Sequence, residues 1–551
     1  MNLMERSVIL IIIVVTFSVH GFADEYKYAK ISAGREQITQ LSEKGFDVIR
    51  ESIRNLGEIY SFQVYVTDMQ IIELRDMGYE LEVITDERTK EEKTKGYHTN
   101  VSIGSELDSL QTAYPDLCKR IQVGTSVQGR PLWAIKISDN VNDDENEPEF
   151  KFSSTIHGDE VVGMEMCMEL IYDVIEGYLA ENDTMTYIVN ETELFVLPLH
   201  NPDGNEAGSR NNANGVDLNR SFPERIYDQT NTTSGKQPEV AAMINWNNER
   251  KFVMSANFHG GAIVANYPWD ADPVYNSGQY APCPDDSHFV FISRGYADRN
   301  PAMVDFDNGI TNGCEWYEIT GGMQDWNYHY YGAMDVTMEI SYTKWPAYSS
   351  IPSYWADNRS SMFWYLMSVH RGVKGIVTSR LGEFTAPVEA TLRFDGIDKD
   401  YLSDSVTGEY FKILKPGIYN LNVTAYGCEP MYITNIEVKD SLATILNIEL
   451  ATVGIEEDDS NLPYGITLEQ NYPNPFNPVT TINFTLESDE FVKLAVHDNA
   501  GAQIAVLGEG LYKKGRHTFE FNGEGLSSGV YHYVLRDSEG RELTKKMLML
   551  K

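Results

Sequence analysis

Between residues 96 and 372 short apolar runs alternate with long helical ones, and this alternation restricts the fold more than any other feature of the chain. Residues 150–155, 194–199, 252–258 and 336–340 are apolar and of strand length, while 161–180 places Ile171, Val174, Ile175 and Tyr178 at helical spacing. Strands separated by helices predict a mixed, mostly parallel sheet with helices on both faces. In such sheets the groups that do chemistry gather beyond the carboxyl ends of the strands. The predicted fold class is therefore α/β for this region, preceded by a small α/β module and followed by two all-β sandwich domains.

At 551 residues the chain is too long for a single core. Six segments are predicted. Residues 1–23 read as a secretory signal: Arg6 supplies a cation, 7–19 is largely apolar, and Gly21 and Ala23 are small enough for cleavage. An uncleaved N-terminal anchor is the alternative, and no later stretch suits a bilayer, so no transmembrane segment is expected after signal removal. Residues 24–95 read as a small α/β module, with strand-like alternation over 56–66 and 79–84, a helix over 70–77 and a charged linker over 86–95. Its place ahead of the main domain suits a pro-segment, with an accessory domain as the competing reading. After the main domain at 96–372, short alternating strands such as 418–425, with turns at Pro416-Gly417 and Gly427, predict a small antiparallel sandwich over 373–452. An acidic linker at 453–463 leads to a last all-β module at 464–551.

The formal net charge of -38, from 44 basic and 82 acidic side chains, argues against nucleic acid and anionic lipid as partners. The five cysteines show no CxxC spacing, so they carry no catalytic hypothesis. Their odd number leaves at least one unpaired within the chain, and Cys283 with Cys314 is a candidate bridge.

Chemistry concentrates at four predicted strand ends. After 150–155 comes His157-Gly158-Asp159-Glu160, and after 252–258 comes His259 with Gly260 and Gly261, which permit close backbone approach. Two histidines and one glutamate form the open kind of zinc site, with a position left for water. A HxxE pair alone is more often a cap or surface feature, so the remaining pattern has to carry the reading. After 194–199, a Gly/Asn-rich loop carries Arg210, Asn219 and Arg220, suited to gripping a carboxylate and offsetting an oxyanion; two solvated surface arginines are the bland alternative. Glu339 lies inside an apolar strand, where a carboxylate is costly unless it is paired or serves as a general base.

In order and spacing, HGDE, SRNNANGVDLNRSFP, NFHGGAIVANYPWD and NGCEWYEITGGMQDWNY followed by TMEISYTKWP resemble the funnel-type zinc metallocarboxypeptidases, in their carboxypeptidase N/E-like regulatory branch. The resemblance covers 96–372 and implies a catalytic domain holding one Zn²⁺ through His157, Glu160 and His259. It implies that Asn219 and Arg220 hold the terminal carboxylate of a peptide or protein substrate, that Arg210 polarises the scissile carbonyl, that Tyr317 closes over the substrate, and that Glu339 is general base and then acid. Asp270 and Gln324 match the branch's specificity pocket, which implies a preference for C-terminal Lys or Arg; a turn or cap role is the other reading of Asp270. One departure is Gly163-Met164-Glu165, where the branch usually has Gly-Arg-Glu.

Residues 373–452 resemble the transthyretin-like sandwich of that branch, on Gly372-Val-Lys-Gly-Ile-Val377 and Lys415-Pro-Gly-Ile-Tyr419. The final 88 residues resemble a type A sorting domain of the type IX secretion system, on Tyr472-Pro-Asn-Pro-Phe-Asn-Pro478 and Leu526-Ser-Ser-Gly-Val-Tyr531. This implies type IX machinery as a partner and export through the periplasm of a Gram-negative bacterium, to the medium or the cell surface. Two other functions stay open at this point: a cell-wall stem-peptide carboxypeptidase of the same fold, and a non-catalytic peptide-binding scaffold.

Overall fold

The computed structural model describes residues 27–55, 59–84, 90–228, 230–303, 307–381, 384–440, 442–452, 465–498, 501–538 and 540–549; the predicted signal at 1–23 and the linker at 453–463 lie outside them. Strands β1 (Lys27–Ala33), β2 (Asp47–Asn55), β3 (Tyr60–Val66) and β4 (Leu81–Ile84) form an antiparallel sheet in the order β2-β3-β1-β4. Helices Arg35–Glu43 and Asp68–Asp76 contribute Leu41 and Leu74 to a core with Ile31, Phe62 and Val64. The second helix starts at a capping box, where Thr67 and Gln70 satisfy each other's backbone N–H groups. Local alternation did not reveal β1 and β2. The predicted charged linker contains a short helix, Lys90–Thr94.

The central sheet has eight strands: β5 (Cys118–Thr125), β6 (Pro131–Ile137), β7 (Glu149–Ser154), β8 (Glu193–Leu197), β9 (Phe252–His259), β10 (Ile263–Tyr267), β11 (Ile310–Asn312) and β12 (Met334–Ile340). Their order is β11-β10-β12-β9-β7-β8-β6-β5. Pairings β7/β8, β7/β9, β9/β12 and β10/β11 are parallel, and β5/β6, β6/β8 and β10/β12 antiparallel. Along β8 the side chains split between two cores: Leu194 and Val196 pack on one face, Phe195 and Leu197 on the other. That two-sided burial is why the strand is apolar throughout. Helices Val162–Leu179, Asp286–Ala297 and Ile351–Met367 cover the first face; Pro238–Asn248 and Met323–Tyr331 cover the second.

Residues 373–451 form two sheets around one core that includes Val377, Leu392, Phe394, Leu421 and Val423. The expectation of a purely antiparallel sandwich is corrected here. Strand Val373–Leu381 pairs in parallel with Thr444–Ile445 and Ile448–Ala451, a long-range closure that local alternation does not encode. Residues 466–549 build two further antiparallel sheets around Phe476, Phe484, Leu494 and Tyr533. The candidate bridge is also corrected: Cys283 and Cys314 are free and buried, as are Cys118, Cys167 and Cys428. No helix among the described residues is long and apolar enough to cross a membrane.

Candidate active site

Because β7, β9 and β12 run parallel and adjacent, their carboxyl ends deliver polar groups to one place. Ser154 of β7 is in register with Phe258, and His259, the last residue of β9, is in register with Glu339. His157 and Glu160 leave the end of β7 just ahead of helix Val162–Leu179. The turn is tight: a Cβ on Gly158 would stand 2.1 Å from the backbone of Gly204, so only glycine fits.

His157, Glu160 and His259 are each 3% exposed. Their facing atoms form a triangle: His259 Nδ1 lies 2.8 Å from Glu160 Oε2 and 3.1 Å from His157 Nδ1, and His157 Nδ1 lies 3.0 Å from Glu160 Oε2. His157 Nε2 is 3.2 Å from Asp217 Oδ1. A hydrogen bond donated there leaves the Nδ1 lone pair of the neutral ring facing the triangle. Acceptors this close need positive charge between them. Burial works against charge on Glu160, yet His157 and His259 hold it well below the usual carboxylate range. Burial lowers His259, while Glu160 and Asp217 raise His157 against both burial and Arg210. Two imidazole nitrogens and one carboxylate oxygen in a triangle of this size fit a tetrahedral zinc ion, whose ligands at about 2.0–2.2 Å are a little over 3 Å apart. Among the described residues two other acidic groups, Asp139/Glu145/Glu147 and Asp144/Glu149/Glu193, are close enough to share an ion, but they lack nitrogen donors.

An open cavity of ≈ 530 Å³ adjoins the triangle. His157, Glu160, His259, Arg210, Asn219, Arg220, Asp270, Tyr317 and Glu339 all line it. Gln324 does not; it lies 1% exposed behind Asp270 and reaches the cavity through that residue. Asp270 Oδ1 accepts from Gln324 Nε2 at 2.7 Å and from Asn266 Nδ2 at 3.2 Å, while the Asp270 backbone N donates to Asp325 at 3.0 Å. Burial pushes the Asp270 carboxyl up to about 7. A Cβ on Gly313 would come within 1.9 Å of Asp270 Oδ1, so this glycine is what makes room for the carboxylate.

Sequence reasoning overlooked Asp217, which organises the loop. It caps the turn Leu218–Arg220 by accepting from Asn219 N at 2.9 Å, accepts from Arg210 Nε at 3.1 Å, and faces His157. Arg210 and His157 hold it well below the usual carboxylate range although it is partly buried. Its signal was present: an acid two residues ahead of Asn219-Arg220 within the quoted loop. Asn219 is oriented by Met323, whose N–H donates to Asn219 Oδ1 at 2.9 Å. The N-terminal module reaches the site as well. Val48 lines the cavity, and Gly45, Phe46 and Val48 border a neighbouring hollow with Arg210, Arg220 and Tyr317.

A mostly parallel sheet whose strand ends gather two imidazoles, a buried carboxylate and an arginine-bearing loop defines a metallopeptidase-type site. Comparison with known proteins narrows the class: residues 103–361 match the zinc carboxypeptidase family, and 470–550 match a secretion system C-terminal sorting domain. The chain is 39% identical to carboxypeptidase SOL1 of Arabidopsis thaliana over 59% of its own length and 66% of that protein. It is 35% identical to mouse carboxypeptidase M over 62% of its length and 81% of that protein, and 33% identical to Drosophila melanogaster carboxypeptidase D over 66% of its length. It thus spans just under two thirds of SOL1 and about a quarter (27%) of carboxypeptidase D. The chain belongs to the zinc carboxypeptidase family and carries a sorting tail. The family implies zinc, and the donor triangle fits it.

Proposed function

We propose that the chain is an exported zinc carboxypeptidase that removes single C-terminal residues from peptides or proteins, with a preference for Lys and Arg. One observation carries the reading: a zinc-type donor triangle, an arginine-bearing loop and a buried carboxylate pocket share one cavity. When bound by His157, Glu160 and His259, zinc supplies Lewis acidity toward water and carbonyl groups. Arg220 and Asn219 take the substrate's terminal carboxylate, which restricts cleavage to the last bond. Arg210, aligned by Asp217, faces the scissile carbonyl and offsets the negative charge that develops on its oxygen. Glu339 accepts a proton from the attacking water and delivers it to the leaving amine as the C–N bond breaks. Tyr317 closes over the substrate. A cationic side chain satisfies the buried Asp270, an arrangement that a neutral stem-peptide terminus would leave unfilled.

In this reading residues 24–95 form a pro-segment-like module, supported by Val48 at the cavity wall. Limited proteolysis between residues 85 and 95 should raise turnover; unchanged turnover after complete cleavage would refute that role. The 373–452 unit acts as a transthyretin-like buttress. The tail, read as a type IX signal, directs the protein to the medium or the cell surface. The test is mass spectrometry of C-terminally varied peptides with and without a chelator. Loss of a terminal Lys or Arg that stops with chelation is expected; internal cleavage, or cleavage indifferent to chelation, would refute the proposal.

A further inference from the structure

The amino ends of β7 and β8 gather acids that the proposed mechanism does not use. Glu149 opens β7, Glu193 opens β8, and the two are in register on adjacent strands. Both are buried, where two like charges side by side are costly. The loop between β6 and β7 adds Asp139, Asp144, Glu145 and Glu147. Carboxylate oxygens of Asp144, Glu149 and Glu193 lie within 4.8 Å of one another, as do those of Asp139, Glu145 and Glu147. Glu193 joins the two groups, because its Oε1 accepts from Glu145 N at 3.3 Å.

Positive charge falls short of this demand. Lys136 Nζ donates to Glu193 Oε1 at 2.6 Å, and Arg250 Nη1 donates to Glu149 Oε1 at 3.3 Å. The Lys251 ammonium turns to Asp404 instead. Asp139 Oδ1, Glu145 Oε2, Glu147 Oε2 and Glu193 Oε2 are buried and find no hydrogen-bond partner among the described residues. Glu193 weighs most, because its side chain is 0% exposed and solvent cannot satisfy the second oxygen. Burial and the neighbouring acids push Glu147 up to about 8, and burial pushes Glu149 up to about 7 against Arg250.

We propose that this cluster is a second metal site, which binds Ca²⁺ with Glu193 as its buried anchor. Neither group contains an imidazole or a thiol, and anionic oxygen donors select a hard cation. Ligands drawn from a loop suit calcium, which accepts variable ligand numbers, better than magnesium, which demands near-ideal octahedral geometry. The ion offsets charge that the protein leaves uncompensated, and it ties the β6–β7 loop to the start of β8. The 6 residues of β7, about 20 Å at about 3.3 Å each, separate the cluster from His157 and Glu160. Calcium therefore acts on stability and not on the chemistry at the strand ends. The inference does not depend on the peptidase reading.

The test is calorimetric titration of the zinc-loaded full chain, dialysed into calcium-free buffer, with CaCl₂ beside Glu193→Gln and Glu147→Gln. The wild type should bind Ca²⁺ saturably with a Kd of about 10⁻³ M or below, the range of extracellular calcium modules. MgCl₂ at equal ionic strength should bind about tenfold more weakly, and each variant should lose about tenfold or more in calcium affinity. Glu147 is poorly ionised at pH 7 without a cation, so Glu147→Gln should keep the calcium-free thermal midpoint. It should lose the rise in midpoint that calcium gives the wild type, and it decides the matter if Glu193→Gln does not fold. No saturable binding at millimolar calcium, or equal binding by wild type and Glu147→Gln, would overturn the proposal. An equal response to magnesium would overturn it too, by marking general screening of surface acids.

Discussion

Two of the places where this chain buries charge are built on different principles. Where the α/β domain meets the following sandwich, Asp285 accepts from Lys412 Nζ at 2.6 Å and from the hydroxyls of Tyr328, at 2.8 Å, and Tyr401. Its own backbone N donates to the Tyr328 hydroxyl at 3.0 Å. Lys412 holds Asp285 below the usual carboxylate range in spite of burial. At the strand ends, by contrast, His157 Nδ1, His259 Nδ1 and Glu160 Oε2 turn toward one another within 3.1 Å. At the junction the anion is met by protein donors, whereas the triangle sets acceptors face to face in an arrangement that could hold a cation. Buried charge is thus a poor marker of function. Convergence of groups with the same hydrogen-bonding role is a better one.

The contrast breaks most sharply through the proton carrier. Glu339→Gln should lower kcat about 100–10,000-fold while zinc content stays at the wild-type level. Peptide turnover and metal analysis on the same sample check both halves, and joint loss of zinc would make Glu339 part of the metal shell. At the junction, Lys412→Met leaves Asp285 charged and unmatched, so unfolding free energy should fall by about 3–5 kcal/mol. Denaturant titration measures this, and turnover per folded molecule should not change. A loss of zinc in Lys412→Met would show that the two clusters are coupled.

A smaller effect sharpens the comparison through pH. Asp270 is pushed up to about 7 by burial, so its carboxyl is ionised above that pH and neutral below it. Only the ionised form attracts a cationic side chain. KM for peptides ending in Lys or Arg should therefore rise as pH falls below 7, approaching about tenfold per pH unit. Asp270→Asn should flatten that rise, whereas peptides ending in Leu should show neither effect.

The sheet and its catalytic edge were legible in the sequence because both depend on local pattern. Apolar runs of strand length mark β7, β8, β9 and β12, and the polar groups just beyond them stand out against that background. Glu339 was visible for the same reason, as an acid inside an apolar strand. What escaped depends on contacts far apart in the chain. Asp217 looks like an ordinary polar residue until folding brings His157 and Arg210 to it. The parallel closure of Val373–Leu381 by Ile448–Ala451 likewise leaves no local periodicity. Cys283 and Cys314 lie near each other in sequence, yet each is buried as a free thiol.

The central claim, that two imidazoles and one acid close on a metal ion, is tested most directly by metal analysis of the purified full chain beside His259→Ala. The wild type should carry close to one zinc per chain. The variant should lose both the metal and turnover while keeping a cooperative unfolding transition. A His259→Ala protein with full zinc occupancy and undiminished removal of C-terminal residues would contradict the account.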